Sequence, residues 1–192
     1  MKFREEQDGK VSRITLASPD SRNFLDAASG EKLLQLIRAA ESDSATGAIM
    51  LDADGPIFST GCESAALLDL RASLQKPLVI AVKGAALAGG VGLIANAHVA
   101  VAAQGTSFGL TSIREGRWDH DAARAVAKVI GERRTVELAL TGRVFSTPDA
   151  LAWGLVHAVA PAFELDDRAF EIALSLANAN PEAIRAGLSQ KF

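Results

Sequence analysis

The chain has 192 residues, 48% of them hydrophobic and 22% charged, a balance that suits one folded domain and excludes a disordered chain. Twenty basic side chains against 23 acidic ones leave a net charge of −3, so no basic excess exists to draw in nucleic acid. One cysteine cannot close an intrachain disulfide and points to a reducing, cytoplasmic setting; the polar start MKFREEQDGK lacks a signal peptide's apolar stretch, and no apolar run approaches the roughly 20 residues that span a bilayer.

Val11–Leu16 alternates apolar and polar side chains and is the first segment with strand character. A turn-rich loop, residues 18–23, separates it from a helix beginning near Ala28 with a stripe of Leu33, Leu34, Ile37 and Ala40. Residues 48–51 form a short buried strand, broken at Asp52-Ala53-Asp54-Gly55-Pro56, and Ile57–Ser59 resumes it. The spacing predicts a helix over 63–75 that stops before Pro77, and then a buried strand, Leu78–Val82. A small-residue loop, 84–90, feeds a short helix over 91–96 and a strand over 98–102. Two alanine-rich helices, 121–130 and 132–140, divide at Gly131. Ser146-Thr147-Pro148-Asp149 carries a capping-box pattern, and Gly154 stops the helix it opens. A strand over 155–159 and helices over 163–178 and Pro181–Leu188 complete the chain. Alternation of strands and helices makes the class α/β.

The most informative stretch is Lys76 to Ala102. Glycines where a helix begins expose backbone N–H groups that lack partners, a setting suited to an anion or to an oxygen that gains charge during reaction. Gly90-Val91-Gly92-Leu93-Ile94-Ala95 matches the G-x-G-x-x-A spacing of dinucleotide sites. It lies mid-chain, however, and the next strand runs into Gln104-Gly105, without the acidic residue that would hold a ribose. Close packing of helix on sheet is the simpler use of such glycines. A second glycine element, Phe58-Ser59-Thr60-Gly61-Cys62, also ends a strand, so two such ends could offer two N–H donors to one oxygen.

With these residues the sequence resembles the crotonase, or enoyl-CoA hydratase/isomerase, superfamily. The resemblance rests on Phe58 through Glu63, Lys76-Pro77 through Gly89-Gly90, Thr106-Ser107-Phe108-Gly109 through Gly116, and Leu140-Thr141-Gly142-Arg143 through Val156. Ser21-Arg22-Asn23-Phe24-Leu25 matches less distinctively. It implies a spiral of ββα units over residues 1–161, with a reduced helical segment over 162–192. It implies an acyl-CoA or carrier-bound acyl thioester as substrate, with coenzyme A arriving as part of it. No permanently bound cofactor or metal is implied, and a homo-oligomer, trimer or hexamer, is. The N–H groups of Cys62 and Gly89 would form an oxyanion hole, and the adenine end of coenzyme A would lie near Arg22, Asn23, Phe24, Gly61, Glu63 and Ser64.

The resemblance also exposes a departure. Where hydratases of the family carry two glutamates, this chain has Gly92 and Ser112. A proton-transfer group contributes roughly 10²–10⁴ in rate, and an oxyanion-hole donor roughly 10²–10³. The hole alone cannot replace both acids, so the two-glutamate hydration route is not expected. The substitutes lie in Arg114-Glu115-Gly116-Arg117-Trp118-Asp119-His120-Asp121, where Asp119, His120 and Asp121 are the candidates for base or nucleophile. An Asp here is also expected to cap the following helix. Cys62 is read as a packing residue whose N–H is the useful part, His98 and His157 as structural, and Trp118 as a core residue ahead of a lining for an acyl pocket. The competing reading is a non-catalytic acyl-CoA-binding or partner-subunit protein.

Overall fold

The computed structural model describes residues 1–190. Two sheets organise it. The larger runs β1-β2-β3-β5-β7-β10 and the smaller β4-β6-β8-β9. In the first sheet β1 (Phe3–Asp8) is antiparallel to β2 (Val11–Leu16). The parallel run continues through β3 (Ala48–Ala53), β5 (Leu78–Val82), β7 (Val99–Ala103) and β10 (Ala158–Ala160). The second sheet is built from three-residue strands: β4 (Ile57–Ser59), β6 (Ala85–Leu87), β8 (Ser107–Gly109) and β9 (Val144–Ser146). Three successive turns, beginning at β3, β5 and β7, each give a strand to the large sheet, a short strand to the small one, and then a helical segment. That is the ββα spiral expected from the resemblance.

The helices are α1 (Ala27–Ser42), α2 (Gly89–Ala95), α3 (His120–Ile130), α4 (Glu132–Thr141), α5 (Thr147–Ala152), α6 (Leu165–Ala177) and α7 (Pro181–Leu188). Alternation along the strands divides the core. Ile14, Ile49, Leu51, Leu78, Ile80 and Val82 face α1 and the small sheet, while Val11, Met50, Val79, Ala81 and Val101 face α6. Leu165, Ala169, Ala173 and Ala177 recur every fourth residue, so α6 presents a narrow, small-residue face to the sheet. The predicted caps are present: Ser146 and Asp149 form a reciprocal capping box, and Gly131 separates α3 from α4 at φ +87.

Five expectations need correction. Residues 84–90 are not a loop throughout, since Ala85–Leu87 pairs as β6 and α2 already begins at Gly89. Residues 63–75 are not an α-helix but a turn and a 3-10 segment, Leu67–Ser73, kinked at Asp69. Burial of Leu67, Leu68, Leu70 and Leu74 wins over helical continuity there. The last strand lies at Ala158–Ala160 rather than 155–159, with the His157 N–H bonded to the Ala100 carbonyl. β1 was not anticipated because its side chains are almost all polar and exposed, although Asp8-Gly9 is a hairpin signal and Gly9 has φ +55. Trp118 is 46% exposed rather than a core residue.

Candidate functional site

The sites of interest lie where the ends of β4 and β6 meet. Gly61-Cys62-Glu63 runs beside the loop after the Pro19–Ser21 turn. The Leu25 N–H donates to the Gly61 carbonyl at 2.9 Å and the Glu63 N–H to the Leu25 carbonyl at 2.8 Å. This pairing turns the Cys62 N–H away from Leu25. Across from it stands Gly89, the first residue of α2. A Cβ on Gly89 would lie 2.4 Å from the Cys62 nitrogen and 2.5 Å from its carbonyl oxygen, so the two backbones touch and only glycine fits. Among the described residues neither the Cys62 nor the Gly89 N–H donates to another protein group. Ala88, just before, has φ +50 and ψ −125, a strained backbone for a residue with a Cβ, and its N–H is tied to the Gly109 carbonyl at 2.8 Å.

The segments assigned to coenzyme A come together, but their side chains differ in availability. Asn23 is fully buried and spent on structure. Its Oδ1 accepts the Ser18 N–H, and its Nδ2 donates to the Asp54 and Ile57 carbonyls. The Phe24 ring lies over Gly61, where a Cβ would meet it at 2.6 Å. Ser64 packs its Cβ against Gly30 in the same way. Arg22 and Glu63 are exposed. Arg22 and Asn23 are consecutive left-handed residues, at φ +54 and +52.

The three residues singled out near α3 sit in different settings, Asp119 and Asp121 half-buried and His120 exposed. Asp119 is the N-cap of α3, its Oδ1 accepting the Ala122 N–H at 3.0 Å. Burial holds its carboxyl above the usual carboxylate range; the Asp121 charge adds to that, while the cap bond and Arg117 oppose it. His120 opens α3 and is exposed, and Asp121 pairs with Arg124 at 3.1 Å. Asp119 stands near enough to Cys62 for its charge to act on the thiol. Arg117 pairs with Glu115 and feels both Asp119 and Glu63. Leu110, Ser112, Ile113, Trp118 and Ala139 line a small cavity beside Asp119.

Cys62 does not sit at a helix N-terminus, since the chain continues as a turn. Burial pushes its thiol up to about 11, which removes the conditions a nucleophilic thiolate needs. His98 and His157 hold the sheet: their Nδ1 atoms accept the Leu78 and Ala100 N–H groups. The glycines of the G-x-G-x-x-A run are packing glycines. A Cβ on Gly90 would meet the Ser59 carbonyl oxygen at 2.6 Å, and one on Gly92 would meet Leu68 and Ala122 at 2.9 and 3.0 Å. No open approach to the backbone exists there for a pyrophosphate. Among the described residues no helix is long and apolar enough to cross a membrane.

Comparison with known proteins gives the same direction. Residues 63–190 match the family model described as enoyl-CoA hydratase/isomerase. The chain is 30% identical over 202 residues to 4-chlorobenzoyl coenzyme A dehalogenase-1 of an Arthrobacter species, covering 91% of this chain and 71% of that protein. It is 28% identical over 197 residues to mevalonyl-coenzyme A hydratase sidH of Aspergillus fumigatus, covering 90% and 71%. An enoyl-CoA hydratase/isomerase family protein from Silicibacter pomeroyi superposes with a TM-score of 0.92 at 28% identity, covering 98% of this chain and 87% of that one.

Proposed function

The chain belongs to the enoyl-CoA hydratase/isomerase family, and from that premise we propose that it is an enzyme acting on an acyl-CoA or carrier-bound acyl thioester by a route other than the two-glutamate one. The observation that carries this reading is the backbone contact between Gly89 and Cys62, which leaves two N–H groups without protein acceptors, with the half-buried Asp119 near enough to Cys62 for its charge to act there. The two N–H groups receive the thioester carbonyl oxygen. They stabilise the negative charge that gathers on it, whether an enolate forms by loss of an α-proton or a tetrahedral adduct forms by attack at the carbonyl carbon.

Asp119 supplies the reactive carboxylate. In its charged form it takes the proton from the substrate or attacks it, and burial makes that form more basic than an exposed aspartate. Asp121, half-buried and paired with Arg124, acts on Asp119 by charge rather than on the substrate, and His120 is exposed at the start of α3. Coenzyme A lies along Arg22–Phe24 and Gly61–Ser64, with backbone groups and the exposed Arg22 as its contacts. The names of the Arthrobacter and Aspergillus relatives describe two different reactions of acyl-CoA substrates, which fits a scaffold that keeps the hole and changes its acids. The protein assembles as a trimer or hexamer, consistent with exposed Val136, Leu140, Val144 and Leu151 on α4, β9 and α5.

A screen of acyl-CoA thioesters with the wild type and Asp119→Asn tests the reading. Turnover that the variant loses supports it. Calorimetric binding of acyl-CoA without any turnover favours the second reading, a non-catalytic acyl-CoA-binding subunit, which the residues Gly92 and Ser112 motivate.

A further inference from the structure

We propose that Gly92 is a positioning residue: its missing side chain lets α3 close on α2, and this close approach seats Asp119 at the start of α3 on the side of Cys62. The proposal rests on the role given to Asp119 above. Gly92 lies in the middle of α2 and is buried. Glycine costs a helix interior about 1 kcal/mol relative to alanine, so a packing reason is expected for it. That reason is visible: a Cβ at Gly92 would meet the Ala122 Cα at 3.0 Å and its Cβ at 3.2 Å, with Leu68 Cδ2 at 2.9 Å. The leucine methyl can swing aside; the Ala122 backbone can move only if α3 moves.

Ala122 is also the residue whose N–H Asp119 caps. One rigid turn therefore joins the Gly92 contact to the carboxylate. Any side chain at position 92 pushes on the first turn of α3 and lifts Asp119 toward solvent. The charged groups that act on Asp119 are Arg117 on the preceding loop and Asp121 on α3 itself, and Asp119 in turn acts on the Cys62 thiol, which Glu63 also touches by charge. α2 contributes none, so position 92 acts on Asp119 through packing and not through charge.

The test is a carboxyl-¹³C NMR titration of the full-length protein labelled at aspartate, with Asp119→Asn assigning the Asp119 resonance. Gly92→Ala is compared with Ala122→Ser, which enlarges the same contact by one atom from α3 and carries the test if the alanine variant does not fold. Expected is a fall of the Asp119 midpoint toward the ordinary carboxylate value by about half a pH unit or more, with the other aspartates unmoved. Ala122→Gly in the Gly92→Ala background should return part of the shift. An unchanged Asp119 midpoint in either folded variant overturns the proposal, even if melting temperature falls, because a merely structural glycine would alter stability alone. Full turnover by Asp119→Asn would instead remove the catalytic reading while leaving the titration result standing.

Discussion

Asp119 accepts the Ala122 N–H at 3.0 Å, so the carboxylate proposed to act at the candidate hole is at once the cap of α3. Two substitutions separate these roles. Asparagine caps a helix as well as aspartate, whereas alanine forfeits about 1 kcal/mol of cap energy. Burial raises the Asp119 carboxyl, so the folded state binds its proton more tightly than the unfolded chain. Stability therefore declines as pH rises from the ordinary carboxylate range through the raised folded value. Asp119→Asn is expected to melt no lower than the wild type at neutral pH, to lose that advantage in acid, and to lose turnover. Asp119→Ala should lose turnover and melt about 2–4 °C lower. Thermal melts at several pH values beside a turnover assay check this; a marked loss of stability in the asparagine variant contradicts it.

In the proposed mechanism Cys62 contributes its backbone and not its sulfur. With the thiol pushed up to about 11, the thiolate is a minor species at neutral pH. Alkylation by iodoacetamide at neutral pH should be slow in the folded protein and fast after denaturation. Cys62→Ala should keep turnover within about an order of magnitude, the range expected of a small packing change. Loss of activity as complete as that of Asp119→Asn would show that the sulfur reacts.

Gly89 has no such tolerance. A Cβ there would sit 2.4 Å from the Cys62 nitrogen, against backbone that cannot rotate away. Gly89→Ala must force the start of α2 away from the Cys62 backbone. It should abolish binding of a thioether acyl-CoA analogue, measured by calorimetry, and lower the melting temperature. Unimpaired binding would mean that the carbonyl oxygen is held elsewhere.

His98 gives the fold an acid limit. Burial, aided by the Arg71 charge, lowers its pKa from 6.5 to about 4. Its Nδ1 accepts the Leu78 N–H at 2.9 Å, a bond that protonation of that nitrogen destroys. The unfolded chain takes up the proton first, so stability is lost as pH falls from about 6.5 to about 4. His98→Leu leaves the Leu78 N–H unpartnered, costs about 1–3 kcal/mol, and should flatten that part of the stability profile. Denaturant melts between these pH values measure it.

Much of the fold was legible because its signals are local. The capping box at Ser146 and Asp149, the division at Gly131 and the apolar run Leu78–Val82 each depend on a few neighbouring residues. What escaped depends on distant partners. Residues 63–75 carry helix-compatible residues, yet the leucines' burial bends them into a 3-10 path. β1 carries polar side chains because it is an edge, and only its partner β2 makes it a strand. At the site, sequence could name Asp119 and Asp121 ahead of His120 but could not tell the two carboxylates apart, since that depends on partners: Asp119 caps α3, whereas Asp121 pairs with Arg124. The contact between Gly92 and Ala122 joins residues 30 positions apart and leaves no local trace beyond a glycine inside a helix.

The most direct measurement is a backbone-amide NMR titration of the ¹⁵N-labelled protein with a non-hydrolysable thioether analogue of an acyl-CoA. If the Cys62 and Gly89 N–H groups hold the carbonyl oxygen, their protons move downfield together as the ligand saturates, further than those of neighbouring residues. Saturable binding that leaves both amides unmoved, or no binding at all, contradicts the proposed oxyanion hole.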